Sequence, residues 1–422
     1  MKSSESTVVL LNLKEPIQNR PEFHAKDELR TFRSCLRWMC VDQTDKWRSA
    51  ISWILFIVMG YAVPSLSHFV LLYSDKRRSY DIVVEFSLTA VATLSFVSLS
   101  GLLRRIGLVR FLFIDKLFNE SESVRRGYKH QLNSSIKLLF FLVVPCIVTD
   151  AVYKAWWYYV GVDRIPFFGN PIASDVITCT LELCSWLYRT SVFFMFCVLF
   201  HIMCHLQIFR LQDFALAFRE ESLVSSVLLK HIRIRKQLKI ISHRFRLFIV
   251  ANLILITLFQ MASLLIMTES TSDVNFFNAG ELAICSIGLL SGIMICLRSA
   301  AKITHKAQSI TSQAAKWHVW STIDPGTTIR NSSNTGCLED DSKALADELL
   351  SDYDDDAYDE IPLPHPHTIS FQKRQAFVTY LENNKTGITL YGFLLDRTWL
   401  HMIFGIELTL VLWLLGKTLG LS

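Results

Sequence analysis

Nothing in this chain resembles the machinery of a soluble enzyme. The patterns G-x-S-x-G, H-E-x-x-H and G-x-G-x-x-G are all absent, which excludes nucleophile-elbow, zinc-protease and dinucleotide-fold readings. The first 49 residues are polar and basic with no apolar h-region, so no cleavable signal peptide is expected and the first apolar run must itself direct insertion. Ten cysteines are present, yet none falls in a segment expected outside the cell: Cys146, Cys179, Cys184, Cys197, Cys204, Cys285 and Cys296 lie in apolar runs, and Cys35, Cys40 and Cys337 in basic or acidic ones. An extracellular disulfide framework therefore cannot form. Proline and glycine are missing from Val176 to Arg219, about twice the length that one membrane crossing needs.

What the chain does have is apolar length. Of its 422 residues 51% are hydrophobic and the mean hydropathy is +0.32, values of an integral membrane protein. Seven stretches, at about 50–73, 82–103, 136–159, 176–206, 247–268, 279–301 and 398–421, are each long enough to cross a hydrocarbon core of ~30 Å as a helix. The 43 Lys and Arg are divided unequally among the segments between them. Thirty-four lie on one side, five on the other, and four (Lys137, Lys154, Arg189 and Arg298) within the stretches. Lys and Arg mark the cytoplasmic side, so the N-terminus is expected in the cytosol and the C-terminus outside, inverted relative to a G-protein-coupled receptor. The net charge of +5 is explained by this bias and calls for no nucleic-acid partner. The sequons at Asn119, Asn133, Asn331 and Asn384 fall on the cytosolic side, where they are chance matches.

The expected fold is all-α and polytopic, with seven transmembrane helices. Segments on the outer side are short, roughly 74–81, 160–175 and 269–278, so recognition of any ligand has to occur between helices. On the inner side the fourth helix should project into the cytosol. Residues 222–246 carry Leu223, Val227, Ile234, Leu238 and Ile241 among basic residues and lead without a breaker into the fifth span. The sixth continues through Ile303, Ala307, Ile310, Ala314 and Trp317, a narrow apolar seam, and a further helical piece at about 368–385 carries Phe377, Tyr380 and Leu381. Helices 4 to 7, extended in this way, are expected to form a cytosolic anchor bundle. The domains are thus a cytosolic N-terminal segment (1–49), helices 1–6 with their extensions (50–321), an acidic loop (322–366), and a cytosolic helix with the last span (367–422). The loop contains Asp352-Tyr353-Asp354-Asp355-Asp356 and reads as disordered, a solvated spacer or a regulatory segment with phosphosites such as Ser332, Ser333, Ser342 and Ser351. His365 and His367 beside it are a weak metal signal.

Ionisable residues at membrane depth are the sharper signal, since each costs ~2.5–3.5 kcal/mol unless paired or wetted. Glu182, Ser185 and Arg189 share one face of the fourth helix, and Glu407 lies near the middle of the seventh. At ~1.5 Å per residue, Arg189 and Glu407 come within about 5 Å in depth, and together with Glu182 they form a candidate intramembrane charge group: either a structural ion pair or part of a cation path. In the last span Gly405, Thr409, Gly416 and Gly420, with Thr398, form a small-residue stripe of the kind that allows close helix approach. Glu407 and Thr418 lie roughly opposite, with Arg397 and His401 toward the inner end, as candidates for an ion path. Gly288 and Gly292 make a similar packing stripe on the sixth helix. Tyr153, Trp156 and Trp157, with Tyr158 and Tyr159, close the third helix at the outer boundary, as an aromatic belt or as one wall of a ligand pocket. Two imitations are set aside. Gly416-Lys417-Thr418 ends like a phosphate loop, but Val411 stands where that motif needs Gly. Cys197, His201, Cys204 and His205 lie on one helix and cannot close a zinc tetrahedron alone. No cofactor or metal is expected.

Cys35-Leu36-Arg37-Trp38-Met39-Cys40-Val41-Asp42-Gln43 with Lys46-Trp47-Arg48, and at the other end Gly405-Ile406-Glu407-Leu408 with Leu412 to Thr418, resemble a plant family catalogued only as a domain of unknown function. The resemblance spans nearly the whole chain. Members are similar in fold to insect odorant and gustatory receptors, which implies seven helices, a cytosolic N-terminus, an anchor bundle from helices 4 to 7, and ligand-gated cation channels with a pore lined by the seventh helices of four subunits. The Thr-Tyr, five-apolar, Gln-Phe signature of insect gustatory receptors has no match in 398–421.

The expectation is a chemoreceptor-like plasma-membrane protein in the lipid bilayer, a homotetramer joined through its cytosolic helices. It would be a ligand-gated, non-selective cation channel opened by a small, mostly apolar ligand. The alternative is a non-conducting scaffold or signalling protein acting through its acidic loop; a proton-coupled transporter using Glu182, Arg189 and Glu407 lacks the internal repeat that alternating access favours.

Overall fold

The computed structural model describes residues 46–71, 81–106, 122–160, 171–216, 224–269, 276–320 and 371–418. Helix α1 runs from Lys46 to Leu71, interrupted at Val58–Ala62 by a π-helical turn. Then come α2 (Asp81–Ile106), α3 (Glu122–Val160), α4 (Pro171–Leu216), α5 (Val224–Glu269), α6 (Phe276–Trp320), α7 (Phe371–Asn383) and α8 (Arg397–Thr418). All but α7 are long and apolar enough to span a membrane, seven helices among the described residues. A two-residue ladder, β1 (Thr389–Leu390) against β2 (Phe393–Leu394), joins α7 to α8 and is the sole strand pairing among the described residues. The N-terminal signature up to Asp45, the acidic loop 322–366 and His365 and His367 lie outside the described residues.

Helix α4 is the axis of the fold. Between Val192 and Leu206 nearly every side chain is fully buried, and α4 packs against α3, α6, α2, α5 and α1. Without a hydrophobic driving force between helices in lipid, such contacts depend on close packing. Phe196 lies with its ring 4.1 Å from that of Phe248 and 5.4 Å from that of Phe245, locking α4 to α5. Gly292 of α6 shows how tight the fit is: a Cβ there would sit 2.3 Å from Cε1 of the fully buried Phe193. Gly292→Ala is therefore expected to cost about 1–3 kcal/mol through overpacking, and Phe193→Leu in the same chain should return most of it. A thermal-unfolding series on the purified variants checks this; a neutral Gly292→Ala would refute the contact. At Gly288, one turn earlier, an added Cβ would meet only Sγ of Cys146, at an ordinary 3.8 Å.

The π-helical turn of α1 has a local cause. Pro64 has no N–H to give the carbonyl of Gly60, four residues earlier. The hydroxyl of Thr89 donates to that oxygen at 3.3 Å, and Ser185 donates to the neighbouring Met59 oxygen at 2.5 Å. The irregular turn thus offers acceptors to α2 and α4.

Helices α4, α5 and α6 hold 46, 46 and 45 residues, ~68 Å each and more than twice a bilayer core. Their excess length lies at the end carrying most of the basic residues. There Leu211, Phe214, Val227, Ile234, Leu238, Ile241, Ile303, Ala307, Ile310 and Ala314 are buried together with Phe377, Val378 and Leu381 of α7. All but Leu211, Phe214 and Val378 belong to the apolar seams expected from the sequence, and together they close an anchor bundle. The short hairpin was not foreseen: two residues per strand are too few to show an alternating pattern.

Candidate functional site

At the end of the molecule opposite the anchor bundle, buried charges converge on α4. Lys154, six residues before the end of α3, is 1% exposed. Its Nζ lies 3.3 Å from a carboxylate oxygen of Glu281 on α6 and 3.7 Å from one of Glu182 on α4. Glu182 also accepts a hydrogen bond from Ser67 of α1. Two turns further along α4, Arg189 is 1% exposed and its Nη1 lies 2.5 Å from Glu85 Oε2 of α2. The same nitrogen donates to Thr89 Oγ1 at 3.0 Å. In α2, Ser87 lies within 3.9 Å of Cys285 Sγ on α6. Five helices are thus tied by two buried charge clusters, one around Lys154 and one around Arg189, in an otherwise apolar interior, where charges persist only when paired. Asp150, one turn before Lys154 on α3, is also buried and keeps the first cluster rich in carboxylates.

These clusters correct the expected charge group. Arg189 pairs with Glu85, and Glu182 with Lys154; neither meets Glu407. Glu407 is buried on α8 and accepts a hydrogen bond from Thr257 of α5. The reason is rotational. Equal depth does not bring two residues together when their helices turn them toward different neighbours. Glu85, Lys154, Glu281 and Thr257 went unassigned in the sequence, although the first three carry the signal that marked Glu182: a charge inside an apolar run.

The two faces of α8 are also reversed from expectation. Glu407, Val411 and Leu414 are buried, and α8 packs on α6 and α5. Thr398, Gly405 and Thr409 on the opposite side are exposed, and a Cβ added at Gly405 or Gly416 would meet nothing within 4 Å. Within one protomer the small-residue stripe is open and Glu407 is enclosed, where a hydroxyl on α5 donates to one of its carboxylate oxygens, a bond that lipid cannot offer. Arg397 and His401 are exposed at the basic end of α8. The side chains of Thr418 and Trp157, and all of Gly420, lie outside the described residues.

Tyr153 and Trp156 of α3 differ in burial. Tyr153 is buried and Trp156 is 41% exposed, their ring centroids 6.4 Å apart, so the first faces the helix bundle beside Lys154 and the second faces outward. His201 links helices: it lies 3.2 Å from Gln131 Nε2 and 2.7 Å from Ser299 Oγ. Among the described residues no group of three or more His, Cys, Asp or Glu could hold a metal ion.

The architecture resembles that of the insect olfactory receptor OR5 from Machilis hrabei. Its structure matches with a TM-score of 0.53 and 14% sequence identity, over 92% of this chain and 99% of that one. The structure of the same receptor in complex with eugenol matches with the same TM-score and identity, over 92% and 98%. At this identity the likeness is one of fold. No curated protein is detectably similar in sequence. Residues 27–406, however, match the family described as "Protein of unknown function (DUF3537)", and a match over nearly the whole chain has a plain conclusion: this seven-helix membrane protein belongs to the DUF3537 family.

Proposed function

We propose that the chain is one subunit of a chemoreceptor-like, ligand-gated, non-selective cation channel, a homotetramer in the plasma membrane with α8 of each subunit at the central axis. The observation that carries this reading is the open face of α8. It is the least enclosed of the seven spans, 17% buried, and its free side carries Thr398, Gly405 and Thr409 alternating with the exposed Met402 and Leu412. Four such faces around an axis would place the Thr398 and Thr409 hydroxyls and the bare backbone of Gly405 along a passage narrowed by Met402 and Leu412. The N-terminus lies in the cytosol, as the bias of Lys and Arg requires. The olfactory-receptor fold supports the assembly, and the eugenol complex of that receptor supports a small ligand.

The ligand acts at the Lys154 cluster. An apolar body would lie by Tyr153, while a hydrogen-bonding group would compete for Lys154, Glu182 or Glu281. Such a competitor loosens α6 from α3 and α4 at one end, and α6 carries the change to α8, on which it packs. The ligand shifts the equilibrium only by its preference for the open arrangement.

Single-particle imaging of the purified protein, followed by bilayer recording, tests this. Four-fold particles with 397–416 around the axis and a cation current are expected. Gly405→Trp should keep the particle but abolish the current, because an indole at each of four equivalent positions fills the passage. Particles with no shared axis, or an unchanged current in Gly405→Trp, would sink the channel reading.

A further inference from the structure

The hairpin between α7 and α8 is held rigidly yet exposes aromatic rings. The backbone N–H of Ile388 donates to Thr304 Oγ1 of α6 at 3.4 Å, that of Thr389 to Ser242 Oγ of α5 at 3.1 Å, and that of Leu395 to the Ile388 carbonyl at 3.0 Å. Ile388 and Leu395 are buried, and Gly387 is pressed so closely that a Cβ would meet Thr304 Oγ1 and Leu394 at 2.7 Å. The tip is fixed by a left-handed pair, Tyr391 at φ 49° and Gly392 at φ 95°. Glycine adopts that conformation freely, and Tyr391 is kept there by its setting. Despite this docking, Tyr391 is 54%, Phe393 70% and Trp399 48% exposed, with the rings of Phe393 and Trp399 6.4 Å apart.

Depth explains where these rings are. On α5, Arg244 and Arg246 are the last charges before the apolar run 247–268, and on α8 the span begins at Arg397. The guanidinium of Arg246 lies 4.9 Å from the centre of the Tyr391 ring and donates to Nε2 of His243 at 3.3 Å. The tip therefore lies level with the edge of the hydrocarbon, on the basic side of the membrane. Aromatic rings collect at that level, and basic groups beside them attract anionic lipid. Asp396, the nearby carboxylate, accepts the N–H of Arg397 at 2.7 Å and so caps the start of α8.

We infer that Arg246 and His243, against Tyr391 on the hairpin that also exposes Phe393 and leads to Trp399, form a binding site for the phosphate of an anionic phospholipid in the leaflet on the basic side. The occupant follows from charge and depth together. Arg246 presents a cation above a ring that orients it, and the surrounding aromatic surface suits glycerol and upper acyl carbons. Because the hairpin runs straight into α8, a lipid held there fixes the entry of that helix. The inference stands without the channel reading, since binding is its only requirement.

The test uses the full-length protein in detergent, titrated with phosphatidylserine or phosphatidylcholine and read by native mass spectrometry. Phosphatidylserine should bind more tightly, and Arg246→Gln should weaken it ~5-fold, the effect of one basic group at a membrane surface. Arg233→Gln, on the same helix but ~20 Å farther from the membrane, makes the same charge change and should leave binding intact. Tyr391→Ala keeps every charge and should still reduce the preference, which covers the case in which Arg246→Gln misfolds. Equal binding of the two lipids would overturn the site, as would equal losses in Arg246→Gln and Arg233→Gln. Displacement of the lipid by millimolar inorganic phosphate would overturn the lipid as its occupant.

Discussion

Replacing Lys154 with Met should destabilise the protein by about 3–5 kcal/mol, the cost of removing one partner from a buried charge group. The reason is what remains. Glu182 and Glu281 lose the ammonium that lies between them, and both are buried where water cannot take its place. The deficit belongs to the uncompensated carboxylates and not to the missing lysine as such. The triple variant Lys154→Met, Glu182→Gln, Glu281→Gln should therefore recover most of the loss, as charge groups replaced whole often do. Thermal unfolding of detergent-solubilised protein, followed by size-exclusion profile, reads both variants. A single variant as stable as the parent, or a triple no better than the single, would mean that the three groups do not act as a unit.

Arg189→Glu should be the other severe lesion. Its guanidinium is 1% exposed and lies 2.5 Å from Glu85, so the substitution sets two carboxylates against each other in a medium of low polarity. The yield of folded protein recovered from the membrane fraction should fall close to background. Adding Glu85→Arg should restore part of it, whereas adding Glu407→Arg should not, because Glu407 bonds to Thr257 on a different helix. Rescue by Glu407→Arg and not by Glu85→Arg would reverse the assignment of partners.

The seven spans and the long basic-end extensions were legible because hydrophobic length and period are properties of consecutive residues. The apolar seam Ile303, Ala307, Ile310 and Ala314, for example, needs only the helical repeat to be recognised, and it is buried in the anchor bundle. The partners of the intramembrane charges were not legible. Position along a helix gives depth at ~1.5 Å per residue, but neighbouring helix axes are ~8–10 Å apart, and which neighbour a side chain meets depends on helix order and rotation. Arg189 and Glu407 matched in depth and differed in direction. Lys154 was visible as one charge in an apolar run, but its two partners lie on α4 and α6, 28 and 127 residues away in sequence.

The sequence by itself determined that this chain is a helical membrane protein. It also determined how many times the chain is able to cross, which end carries the positive charge, and that long apolar seams must pack outside the hydrocarbon. Those follow from composition and period, which water and lipid read locally. Only the tertiary structure decided that α4 is the axis, that Arg189 meets Glu85, that Glu407 faces α5, and that the small-residue side of α8 is the open one. An amphipathic or striped helix specifies that it has two faces; which of them turns inward is set by the packing of all the helices together.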